Sequence, residues 1–171
     1  MSNVDNPHGL RSLMRTLSGG LPLIEEFDKA VGYGTAIFMN DAVNRAADNS
    51  IEASATPGTT LYSGVSLNYG AASTATKHQV IVSPDALFEA QADGSLALAD
   101  MGLNANLILG AGSTTTLQSG HEINSATEAV TASLDVHLLH KLNVPDNDYG
   151  DYVRVEIVFN KHRMNSVAVG V

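Results

Sequence analysis

Apolar and polar residues alternate over several short stretches of this chain, which is the pattern of half-buried β-strands. The clearest stretch is Asp151–Asn160, where every second residue is apolar and falls on one face: Val153, Val155, Ile157 and Phe159. Residues 134–138 alternate in the same way, with Leu134, Val136 and Leu138 opposite Asp135 and His137. Both stretches are therefore predicted to be strands with one face in a core.

Shorter apolar runs, separated by residues typical of turns, predict further strands. They lie at Thr35–Met39, Thr59–Asn68, Gln79–Val82, Leu87–Gln91, Asn106–Leu109 and, with a weaker pattern, Gln118–Ile123. Eight or nine short strands at this spacing are typical of an all-β fold, either a single β-barrel or a jelly-roll-like sandwich. Helix is expected to be minor, with a turn or two at Asp41–Ala47.

Residues 1–32 differ from the rest because glycine and proline interrupt them repeatedly. We expect an extended N-terminal arm here, with one helical turn near Leu23–Lys29, followed by a β-barrel domain over residues 33–171. The arm carries many apolar residues, and a solvated arm would not normally do so. It is therefore expected to lie against either its own domain or a neighbouring chain.

Length and charge limit the number of domains and the kinds of partner that the sequence allows. The 171 residues suit one domain with its own core. The formal net charge is −9 with only nine Lys and Arg, which argues against nucleic acid as the main partner. Between Ala46 and His140 the only basic residue is Lys77, so the body of the protein is acidic.

Cysteine is absent, which excludes disulfides and thiolate chemistry. The first residues have no apolar signal core, and the long uncharged stretches are broken by Gly, Ser, Thr, Asn or Pro. We therefore expect no membrane span.

No candidate catalytic, cofactor or metal site emerges from the motifs. The six histidines lack ligand spacing, since His137 and His140 on a strand would point to opposite faces. The Asp146–Asp151 cluster places its glycine one position too early for an EF-hand loop. The Gly110–Thr116 loop lacks the lysine of a phosphate-binding loop. An enzyme is not expected, although a carboxylate pair that meets only in space would leave no motif.

Six segments resemble, in chain order, a family of head decoration or capsid cement proteins of tailed bacteriophages. They are Asn6–Arg11, Ala99–Leu107, Gly110–Thr116, Ser119–Glu122, Val144–Asp148 and Val158–Arg163. The resemblance implies a structural virion protein, made in the host cytoplasm, that binds the outer capsid surface in many copies and stabilises the shell. Its partner would be the major capsid protein. It would assemble as a homotrimer, or alternatively a dimer, on a symmetry axis.

The extended arm would then bind the capsid by adding a strand to an exposed sheet edge. In that case Leu10, Leu13 and Leu17 would be buried in the capsid protein. The full set of expected contact residues is Asn6, Pro7, His8, Leu10, Arg11, Leu13, Arg15 and Leu17. Two alternatives stay open: a tail or adhesin β-module with a glycan or receptor ligand, and a β-barrel enzyme or small-ligand binder.

Overall fold

A computed structural model describes residues 3–58 and 61–164 and contains fourteen β-strands and one short 3-10 helix, Leu98–Asp100. The strands are β1 Arg11–Thr16, β2 Ile24–Lys29, β3 Ala42–Arg45, β4 Ile51–Ala53, β5 Gly64–Ser66, β6 Thr76–Ile81, β7 Ala86–Gln91, β8 Ser95–Leu96, β9 Asn104–Ala105, β10 Leu107–Gly110, β11 Gly120–Ile123, β12 Val136–Lys141, β13 Gly150–Asp151 and β14 Arg154–Phe159. Residues 165–171 of the expected domain lie outside the described ones.

The strands form two five-stranded antiparallel sheets and two small ribbons. Sheet 1 has the order β1-β7-β14-β12-β9, and sheet 2 has the order β2-β6-β5-β3-β4. The ribbons are β10-β11 and β8-β13. The sheets pack as a sandwich, which confirms the all-β prediction, and no closed barrel forms from the described residues. Each large sheet therefore has two edge strands, and the outer edge of β9 is bridged to Ala129 through Asn104.

The main core lies between the sheets and contains the residues that the alternation predicted. Val153, Val155, Ile157 and Phe159 are all buried in it. The Phe159 ring stacks on Tyr62 at a centroid distance of 4.9 Å and meets the edge of Phe88 at 5.6 Å. A smaller cluster of Ile37, Val43, Ile51, Val80 and Val82 forms a second core.

Both predicted helical turns are wrong. Residues 24–29 form strand β2, which pairs with β6 at six consecutive positions. Within Asp41–Ala47, residues 42–45 form strand β3 between β4 and β5. A segment of four to seven residues gains little from helix propensity, whereas pairing in a sheet satisfies its backbone groups and buries Val43. The predicted strand at Thr35–Met39 is reduced to isolated bridges at Ile37 and Met39.

The segment expected as a separate arm is part of the sandwich in its described residues. Its strands β1 and β2 are edge strands of sheets 1 and 2. The linker between them runs beside the β6–β7 turn, where the Leu17 N–H donates to the Asp85 carbonyl at 2.9 Å and the Val82 N–H to the Leu23 carbonyl at 3.0 Å. Of the two alternatives for the arm, its described residues pack against their own domain.

Candidate interaction surface

A row of charged residues crosses the outer face of sheet 1, the face turned away from the main core. Arg11 of β1 is paired with Glu89 of β7, Glu89 with Glu156 of β14, and Glu156 with His140 of β12. Two carboxylates thus sit on directly opposite positions of neighbouring strands. Such an arrangement is destabilising unless cations neutralise it.

Glu89 is the more strongly held of the two carboxylates, and its side chain is only 2% exposed. It accepts a hydrogen bond from Arg11 and lies 3.3 Å from Nη1 of Arg154 and 3.5 Å from Nε2 of His8. Burial raises the pKa of Glu89, but hydrogen bonds and charge from His8 and Arg11 outweigh it and lower the pKa to about 2. Glu89 is therefore a buried anion at neutral pH.

Glu156 has an equivalent set of partners. Its side chain is 3% exposed, accepts a hydrogen bond from Arg15 and lies 3.3 Å from Nε2 of His140. The two arginines of β1 thus each contact one buried carboxylate of the adjacent strands. This arrangement fixes β1 on sheet 1, and the charge on each carboxylate is already matched inside the protein.

The expected contact residues fall into three groups. His8, Arg11 and Arg15 lie against the two buried glutamates. Leu10 is fully buried in the main core, so it is not available to a partner chain. The rest are half-buried or exposed, namely Asn6, Pro7, Leu13 and Leu17.

The sequence analysis singled out neither Glu89 nor Glu156. A signal was present, since each glutamate lies directly between two apolar residues of its strand, Ala86–Gln91 or Arg154–Phe159. A charged residue in such a strand needs a cationic partner if it is buried.

A second feature is a strip of exposed apolar residues that follows the end of β1, the linker and the start of β2. It consists of Met14, Leu17, Leu21, Leu23 and Ile24, whose exposures range from 38% to 81%, and we refer to it as the apolar strip. Single exposed apolar residues are ordinary, but five of them within eleven residues of the chain favour an interaction surface.

Acidic residues border the apolar strip along the outer edge strand β2. Glu25, Glu26 and Asp28 are exposed there. Lys77 of β6 lies 3.0 Å from Glu26 and 3.2 Å from Asp28, so the rim stays negative overall. Protein–protein contacts commonly have an apolar centre and a polar rim, and some use the edge of a sheet. All three features occur here, since β2 is an edge strand among the described residues.

The other notable titratable pair, Asp41 and His121, lies in the interior. Its Oδ1 and Nε2 atoms are 3.4 Å apart, and both side chains are 4% exposed. Burial raises the pKa of Asp41 to about 6 and lowers the pKa of His121 to about 4. Because neither side chain is open to solvent, the pair holds the Phe38 and Ala42 N–H groups rather than meeting a substrate.

Among residues 3–58 and 61–164, no group of three or more His, Asp or Glu side chains is placed to hold a metal ion. The same part of the chain contains no helix long and apolar enough to cross a membrane. Comparison with known proteins adds no relative: no family model, curated protein or solved structure matches the chain significantly.

Proposed function

We propose that this chain is a structural virion protein that binds the outer surface of a tailed-phage capsid in many copies and stabilises the shell. The observation that carries the proposal is the apolar strip, in which five large apolar side chains are exposed within residues 14–24. The resemblance of the six sequence segments supplies the kind of partner, the major capsid protein. The proposed role is structural and requires no catalysis.

Three of the expected contact residues are engaged within the protein itself. Leu10 is buried in the protein's own core, and Arg11 and Arg15 are bound to buried glutamates. Detaching this part would expose Leu10 and leave two buried carboxylates without their arginines, which is strongly unfavourable. The contact is therefore assigned to the apolar strip, including Leu17 of the original set.

The outer edge of β2, which pairs with no other strand among the described residues, offers a second element of the same contact. An extended segment of the capsid protein can add a strand there, with backbone hydrogen bonds supplying affinity. Glu25, Glu26 and Asp28 would favour a segment that carries Lys or Arg beside apolar residues. We further propose that the protein assembles as a homotrimer, or alternatively as a dimer, on a symmetry axis of the virion surface.

The experiment is co-sedimentation of the purified protein with capsids that lack it. The double variant Leu17→Asp, Leu21→Asp puts two charges into the apolar strip, and both positions are exposed, so the fold should persist. We expect binding to weaken at least tenfold. The matched control is Val130→Asp, an exposed apolar position outside the strip, which should bind like the unmodified chain. Equal binding by all three proteins would contradict the proposal.

A further inference from the structure

A cavity of about 610 Å³ lies beside the Glu89 cluster, between the N-terminal segment and the turn that follows β12. Asn3 holds the N-terminal segment in place there. Its Nδ2 donates to the carbonyls of Asp148 and Asp151 at 2.7 and 2.8 Å, and its Oδ1 accepts from the Asp148 N–H at 2.9 Å. The cavity therefore has a fixed wall, and its size suits a small ligand.

Several polar side chains that line the cavity are unused within the protein. Asn6, Gln118, Asp146 and Tyr152 all line it, and their side chains make no hydrogen bond to any described residue. Arg154 lines it too, and its Nη2 makes only a long contact of 3.5 Å to the Pro145 carbonyl. The set includes donors, acceptors and one aromatic ring.

The connection between β12 and β14, which contains the short strand β13, carries two of these side chains at unusual backbone angles. Asp146 and Tyr152 both have positive φ, 55° and 58°, which is rare for a residue as bulky as tyrosine. Between them, buried Asn147 makes three hydrogen bonds, to the Leu142 carbonyl and to the carbonyl and N–H of Arg154. Strained residues held by a well-bonded turn are typical of binding sites, where the geometry is set before the ligand arrives.

The charges around the cavity select the ligand class. Arg11 and Arg154 are matched by Asp5 and Asp146 in the lining, and Glu89 is bound to both arginines. No surplus of positive charge remains to attract a phosphate or another anion. A neutral ligand with many hydroxyl groups fits the mixed donors and acceptors, and the Tyr152 ring offers an apolar face.

We infer that this cavity is a saccharide-binding site for a neutral sugar of one to three units. The inference stands apart from the proposed capsid contact, because the apolar strip and the cavity share no residue. A virion surface protein with such a site would also bind glycans.

The test is a ligand-observed NMR screen, followed by titration, with glucose, galactose, mannose, N-acetylglucosamine and their disaccharides. We expect at least one to bind with millimolar or better affinity. Asp146→Asn and Tyr152→Gly keep the positive φ and should weaken binding at least tenfold, as should Gln118→Ala on another strand connection. Tyr149→Ala, a tyrosine of the same turn that does not line the cavity, is the matched control and should bind normally.

Three results would overturn the inference. They are the absence of binding by every sugar, binding that all three cavity variants leave unchanged, and a preference for inorganic phosphate over the neutral sugars. Thermal denaturation of each variant separates loss of the site from loss of the fold. If Tyr152→Gly unfolds, Asp146→Asn and Gln118→Ala decide the question.

Discussion

Replacing Glu89 by glutamine removes the charge on which the N-terminal part of sheet 1 depends, while keeping the shape of the side chain. In the folded protein this carboxylate faces Arg11, Arg154 and His8, and almost none of it reaches solvent. An amide cannot neutralise the two arginines, and its NH2 group would face other donors. The substitution therefore leaves Arg11 and Arg154 without their counter-charge.

The size of the effect follows from the pKa of Glu89. A fall from the ordinary value of 4.5 to about 2 corresponds to about 3 kcal/mol in favour of the charged form. The side chain of Arg11 is 57% exposed, so solvent weakens the pair, and we expect a loss of about 2 kcal/mol in the free energy of unfolding at pH 7. For a chain of this length, that corresponds to a fall in Tm of about 4–8 °C.

The effect also has a defined pH dependence. Because the folded-state pKa is depressed, the stabilisation is present above pH 4.5 and is lost as the pH falls towards 2. Urea denaturation of the unmodified chain and of Glu89→Gln should therefore differ most at neutral pH and converge in acid. Glu122→Gln is the control, because burial and the nearby Asp5 and Asp93 raise the pKa of Glu122. Its loss of charge should leave stability unchanged or increase it. A Glu89→Gln protein as stable as the unmodified chain at pH 7 would refute the reasoning.

Three other variants test separate parts of the structure. Asp135→Ala removes the buried acceptor of the Gly58 and Leu107 N–H groups. It should lower the free energy of unfolding, measured by urea denaturation, by about 3 kcal/mol, and a loss below about 1 kcal/mol would contradict this. Burial lowers the pKa of His162 to about 4, so stability should fall as the pH drops from 6.5 towards 4. His162→Asn should reduce the slope of Tm against pH between pH 6.5 and 4. An unchanged slope would contradict the prediction for His162. Gly64→Ala would place a Cβ against the Ile81 carbonyl oxygen at a φ of +146° and should prevent folding. Gly32→Ala, whose Cβ would meet nothing within 4 Å, should fold. Soluble, native-like Gly64→Ala protein would contradict this prediction.

The sequence predicted the strands whose alternation is set by burial on one face. Strand β14 is the best case, because Val155, Ile157 and Phe159, its residues on the predicted apolar face, all enter the main core. The prediction of helical turns was wrong at β2 and β3, because pairing in a sheet outweighs the weak helix preference of such short segments. Edge strand β2 has mostly exposed residues, so no alternation marks it.

The local sequence pattern does not show which charged residues are buried or which distant residues neutralise them. Asp135 was assigned to the solvent face of its strand, yet it is fully buried because it accepts hydrogen bonds from two distant backbone N–H groups. Glu89 and Glu156 are buried because β1, distant in sequence, brings Arg11 and Arg15 over them. The cavity likewise joins the N-terminus to residues 145–154, and only the tertiary structure brings those segments together.

The measurement that tests the proposed function most directly is the copy ratio of this protein to the major capsid protein in purified virions, obtained by quantitative mass spectrometry. A decoration protein on the shell lattice predicts a ratio near one, or a simple fraction of it. A handful of copies per particle would instead place the protein at the tail or a vertex, and its absence from virions would contradict the proposed function altogether.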